Sequence, residues 1–171
     1  MQKTIERELT LSGAGLHTAH IATMTFKPAE ADSGITFVRT DLPGAPRIKA
    51  CHDALLSQGR SPRRTSLGAG AAEVHTVEHL MAALCGLGID NIVIEIDNME
   101  IPGLDGSSLK FVDALQKAGI REFSKERHYF AVKEPIVAEE DGASILAVPD
   151  PEFKISYTLS YDHPLLRSQF L

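Results

Sequence analysis

Between Val74 and Gly86 the chain repeats its apolar residues with the period of an α-helix. Val77, Leu80, Met81 and Leu84 recur at i, i+3, i+4 and i+7, which is one apolar stripe. Thr76 is placed to cap the start of this helix and Gly86 to end it. At about 100° per residue, His75, Glu78 and His79 fall on the face opposite the stripe. The segments before and after it alternate with period two. In residues 20–28, Ile21, Thr23 and Thr25 face one way and Ala22, Met24 and Phe26 the other. A helix with a single apolar stripe must bury it, and an alternating sheet offers one apolar face to receive it.

The remaining elements follow the same logic. Residues 4–11 and 35–41 read as strands that form an antiparallel meander with residues 20–28. Short strands are expected at Thr65-Ser66-Leu67 and Ala72-Glu73-Val74, and a longer one at residues 89–96. A second helix opens after Asp105-Gly106-Ser107-Ser108, where Asp105 or Ser107 can cap free amides. Its stripe is Phe111, Val112, Leu115 and Ala118, and Gly119 ends it. Residues 129–137, 144–148 and 153–161 read as three more strands, with Asp141-Gly142 as a hairpin turn. The expected class is therefore α+β: a two-layer sandwich, mostly antiparallel, with two helices on one face. No repeat, low-complexity tract or linker divides residues 1–171, which read as one domain. The chain stops at Phe170-Leu171, where a strand is expected to begin, so a longer protein is expected.

Composition narrows the function. The 171 residues are 43% hydrophobic and 23% charged, with a net charge of −6. That balance argues against a nucleic-acid partner. No apolar run has the length of a membrane span, and the first residues lack a signal core. Two cysteines, Cys51 and Cys85, do not make a disulfide framework, which points to a cytoplasmic protein; Cys85 reads as a small core residue. Gly59-Arg60-Ser61-Pro62-Arg63-Arg64 reads either as a solvated loop or as an anion-binding rim.

The polar helix face invites metal chemistry. Neutral imidazole is a zinc ligand, and a neighbouring carboxylate can take a proton from water. His75-Thr76-Val77-Glu78-His79 matches H-x-x-E-H, in which both histidines hold one zinc and the glutamate is the base. A small metallopeptidase on that pattern needs a further carboxylate ligand on another helix, whereas Glu152 lies in a turn. A non-catalytic domain of the same fold is the other alternative.

Four motifs in order support a different reading. Gly13-Ala14-Gly15-Leu16-His17-Thr18, Thr76-Val77-Glu78-His79-Leu80, Gly86-Leu87-Gly88-Ile89-Asp90-Asn91 and Glu100-Ile101-Pro102-Gly103-Leu104-Asp105-Gly106-Ser107 occur in register. In these motifs the chain resembles the N-terminal half of the UDP-3-O-acyl-N-acetylglucosamine deacetylases, zinc amidases of bacterial lipid A synthesis. The resemblance implies that Glu78 is the general base and His79 a zinc ligand. It makes His75 a non-ligand, so that H-x-x-E-H is a coincidence. It places His17 near the site, in a substrate-binding or structural role, and Thr65, Ser66 and Leu67 at its border beside the acyl-chain entrance. Asp105 matches a family aspartate and reads as a helix cap. It also implies Zn2+ as cofactor, a UDP-3-O-acyl-N-acetylglucosamine substrate and a bacterial, cytoplasmic setting. A second domain of similar fold, absent from this chain, supplies the other zinc ligands. The isolated chain is then expected to be inactive. Glu78 and His79 point away from the core stripe, which is the side on which such a domain would have to pack.

Overall fold

The computed structural model describes residues 1–57, 59, 62–163, 165 and 168–170. They fall into two compact units, Met1–Arg127 and His128–Leu171. The first contains β1 (Lys3–Ile5), β2 (Leu9–Ala14), β3 (Ile21–Pro28), β4 (Ile35–Arg39) and β5 (Arg47–Lys49). A 3-10 turn at His52–Ala54 follows, then β6 (Ser66–Ala69), β7 (Ala72–His75), α1 (Glu78–Leu87), β8 (Ile92–Ile96), α2 (Leu109–Ala118) and β9 (Ile120–Glu122).

The main sheet has the order β2-β3-β8-β4-β5. β8 pairs antiparallel with β3 and parallel with β4. Ile94 therefore lies between Phe26 and Phe37, and all three are fully buried. The alternation read in β3 holds: Ala22, Met24 and Phe26 enter the core. Thr23 and Thr25 face outward, where their hydroxyls meet Ser12 and Thr10 across the strand pair at 3.3 Å. Leu80, Ala83 and Leu84 of α1 and Phe111, Leu115 and Ala118 of α2 join the same core. Both helices thus lie on one face of a mostly antiparallel sheet, and the α+β reading stands.

Several local expectations are corrected. Residues 4–11 are not one strand, because β1 leaves the main sheet and pairs with β9. β4 is not the third strand of a meander, because β8 separates it from β3. Thr76 does not cap α1. Its φ of 63° is left-handed, and its hydroxyl donates to Glu100 rather than accepting from the helix amides. Gly86 lies inside the helix, and the left-handed residue that ends it is Gly88, with φ 67°. Asp105 does not cap α2 directly. Its carboxylate accepts from the N–H and hydroxyl of Ser107, and the Ser107 hydroxyl accepts from the Leu109 N–H. Cys85 is exposed on the outer side of α1 rather than buried.

The second unit holds β10 (Ile136–Glu140), β11 (Ala143–Ala147), β12 (Thr158–Leu159) and β13 (Gln169–Phe170). β10 and β11 form a hairpin whose turn is Asp141-Gly142, as the sequence suggests. Both turn residues have positive φ, 49° and 79°, the conformation of a two-residue type I′ turn. The strand expected over residues 129–137 begins only at Ile136. Residues 153–161 form a strand only at Thr158–Leu159. Leu171, in the strand expected at the chain's end, lies outside the described residues, as do Pro164, Leu166 and Arg167.

The two faces of the sheet should respond differently to truncation. Ile94→Ala leaves a cavity between two phenylalanines and is expected to cost about 3–4 kcal/mol in urea unfolding. Thr25→Ala, on the outer face, is expected to change stability by less than about 0.5 kcal/mol.

Candidate active site

The segment after β8 gathers the site. It turns back through Met99 and Glu100 to run beside the end of β7, where the His75 N–H donates to the Met99 carbonyl and the Ile101 N–H to the His75 carbonyl. It then meets the glycine-rich turn after β2, where Gly15 bridges Pro102 and the Gly103 N–H donates to the Ala14 carbonyl. Gly15 allows this close approach, because a Cβ there would run into the Glu100 carboxylate.

Glu100 occupies the junction and is 1% exposed. Its Oε1 accepts from the His17 N–H at 2.9 Å and from the Thr76 hydroxyl at 2.7 Å. Its Oε2 accepts from the Thr18 N–H at 2.8 Å and the Thr18 hydroxyl at 2.7 Å. Burial by itself raises the carboxyl pKa, but the hydrogen bonds from Thr18, His17 and Thr76 outweigh it and hold the group at about 2. The sequence contains Glu100 in a motif, yet nothing in its spacing says that it is buried between two distant segments.

Glu78 and His79 form the first turn of α1 and are half-exposed, while Val77 and Leu80 on either side of them are buried. Glu78 Oε2 accepts from the Thr65 N–H at 3.0 Å. The Val77 N–H donates to the Thr65 carbonyl. Thr65 thus brackets the start of the helix from both sides. Ser66 and Leu67, the other residues expected at the site border, are buried in β6. The Ser66 hydroxyl bonds His75, and Leu67 joins the core. His17 is exposed on its turn, fixed through its backbone.

His75 is corrected in place. It ends β7 rather than standing on the helix, and it is 2% exposed. Its Nδ1 lies 2.7 Å from the Ser66 hydroxyl and its Nε2 3.3 Å from Glu73 Oε2. A carboxylate only accepts, so Nε2 carries the proton and Nδ1 accepts from Ser66. Both ring nitrogens are engaged, and H-x-x-E-H is not a helical metal pair here. Burial pushes the His75 pKa down. Arg64 lowers it further, against Glu73 and Glu100. Of the expected anion-binding rim, Arg60 and Ser61 lie outside the described residues. Arg63 has a left-handed φ of 59°.

Among the described residues, no group of three His, Cys, Asp or Glu is arranged to hold a metal. A catalytic zinc needs three protein ligands and an open position. His79 with Glu78 beside it therefore fits one part of such a site, a ligand and a base, and leaves two ligands to come from elsewhere. No helix among the described residues is long and apolar enough to cross a membrane.

The chain is similar to known proteins over nearly its whole length. A family model described as UDP-3-O-acyl N-acetylglycosamine deacetylase matches residues 2–171. The UDP-3-O-acyl-N-acetylglucosamine deacetylase of Citrifermentans bemidjiense is 42% identical over 169 residues, covering 99% of this chain and 54% of its own length. The enzyme of the same name from Syntrophus aciditrophicus is 37% identical over 168 residues, 98% of this chain and 52% of its own. That from Oleidesulfovibrio alaskensis is 40% identical over 169 residues, 98% and 54% respectively. The chain spans about half the length of the curated relatives it matches.

Two buried groups, Glu100 and His75, set a pH dependence. Glu100 is held at about 2 against an ordinary value of 4.5, so its contribution to stability is complete above pH 4.5 and is lost as the pH falls towards 2. His75 is lowered from 6.5, so its neutral burial also favours the folded state above that pH and opposes it below. Urea midpoints followed by circular dichroism are expected to fall on acidification from pH 7. The fall between pH 4.5 and 2 is expected to be flatter in Glu100→Gln, which has no carboxylate to protonate.

Proposed function

The chain belongs to the UDP-3-O-acyl N-acetylglycosamine deacetylase family, and we propose that it supplies the general base and one zinc ligand of such an enzyme. The proposed reaction is hydrolysis of the N-acetyl group of UDP-3-O-acyl-N-acetylglucosamine in bacterial lipid A synthesis. The observation that carries this reading is the first turn of α1. There Glu78 and His79 are adjacent, half-exposed and turned away from the buried stripe, and the Thr65 N–H fixes the carboxylate.

Glu78 is the proton acceptor. Thr65 occupies one carboxylate oxygen and sets the plane of the group, which leaves the other oxygen to take a proton from the attacking water. The water oxygen bonds to the acetamide carbonyl carbon, the C–N bond breaks as the amine nitrogen takes up the proton removed from water, and acetate and the protonated sugar amine result. His79 would hold part of a zinc ion, which would supply Lewis acidity at that carbonyl and make water a better acid. His17, carried on the exposed turn after β2, contacts the substrate. Thr65 lies beside it at the site border, with Ser66 and Leu67 packed behind as support. The remaining zinc ligands come from a second domain, so residues 1–171 alone are inactive. The proposed setting is cytoplasmic, with no nucleic-acid partner.

The full-length protein tests this directly. Glu78→Gln is expected to lower the rate of acetate release by about 10²–10⁴-fold while zinc content stays near one per chain. His79→Ala is expected to lose the zinc. His75→Ala is expected to keep it, because the His75 nitrogens are engaged by Ser66 and Glu73. Zinc that depended on His75, or full activity in Glu78→Gln, would overturn the assignment.

A further inference from the structure

The geometry points to Glu100 as a positioning residue: its buried carboxylate fastens the exposed His17 turn to Thr76, the residue from which the Glu78–His79 helix departs. This rests on the deacetylase reading above, which assigns Glu100 no part.

Three observations carry it. First, the carboxylate is shared between two segments far apart in sequence. Oε2 is taken by Thr18 alone, through N–H and hydroxyl, whereas Oε1 receives both the His17 N–H and the Thr76 hydroxyl. One oxygen atom therefore joins the turn to the helix start. Second, both segments need holding. The His17 turn exposes its side chains, with Leu16 59% exposed, and is fixed by its backbone instead. Thr76 sits at φ 63°, a conformation that a β-branched residue rarely adopts and that requires surrounding contacts to maintain. Third, the site is built around a carboxylate. A Cβ at Gly15 would strike it, and the backbone of residues 99–101 is locked to His75 on the other side. A carboxylate is the acceptor that can take four short donors at once.

The consequence is that the place of the His17 side chain relative to Glu78 is set by Glu100. Glu100→Gln keeps the shape but replaces an acceptor by an N–H2 group facing donors. It should release the turn without removing any group that touches substrate.

The test uses the full-length enzyme. In Glu100→Gln, kcat/KM for acetate release is expected to fall by about tenfold or more, with zinc content unchanged. In a His17→Ala background the same substitution is expected to cost less than about threefold, because the turn then has no side chain left to misplace. Thr18→Val, which leaves the buried carboxylate intact, is expected to show a smaller loss that His17→Ala also absorbs. It decides the matter if Glu100→Gln does not fold. Independently of activity, amide hydrogen exchange at His17 and Thr18 is expected to quicken by about tenfold in Glu100→Gln. Losses that multiply in the double variants, or unchanged amide exchange, would overturn the positioning role. An enzyme that releases no acetate, or one that is indifferent to Glu78→Gln, would overturn the deacetylase reading, while the exchange measurement would still judge the clamp.

Discussion

The sheet depends on one strand, β8. It enters between β3 and β4 and presents Ile92, Ile94 and Ile96 to the core, flanked by Phe26 on one side and Phe37 on the other. Without it the edge pair β2-β3 and the pair β4-β5 would be separate ribbons, each too small to bury an apolar face. Its insertion also directs the chain that follows. The backbone leaves β8 at the edge where β7 ends and where β2 turns, so residues 99–103 must pass between them. Three chain segments converge there and are joined by backbone hydrogen bonds.

A buried carboxylate completes that convergence. Burial of Glu100 is unfavourable by itself, and four donors offset it. The donors come from a turn and from a strained residue that lie far apart in sequence. Energetically this is a local balance. Geometrically it relates the outer turn to the helix whose first turn carries Glu78 and His79. His75 is arranged in the same spirit, with Ser66 on one nitrogen and Glu73 on the other. The polar interior of this unit therefore serves to align strands and the helix start rather than to hold an ion.

The position of His79 clarifies what the chain can contribute to metal chemistry. It projects from the side of α1 that does not face the core, next to a carboxylate oriented by a backbone amide. In the proposed reading that one imidazole is part of a coordination sphere. The curated relatives that match this chain are about twice as long.

Much of the architecture was legible in residue order. The period-two alternation of β3 and the stripes of α1 and α2 are local properties, fixed by which side chains share a face. Asp141-Gly142 was equally legible, because few residue pairs accept two positive φ values in succession. Glu78 and His79 were readable as an outward pair for the same reason: adjacent to a buried stripe, they had to point away from it. What the tertiary structure alone decided were the relations between distant segments. Residues 4–11 look like one strand, but β1 and β2 find different partners. His75 shares a pattern with His79, yet a left-handed Thr76 breaks the helix between them and turns His75 into the core. Glu100 carries no local sign of its role, because burial and hydrogen-bond partners are set by residues about 25 and 80 positions away, and no periodicity in a single chain encodes which of them will meet.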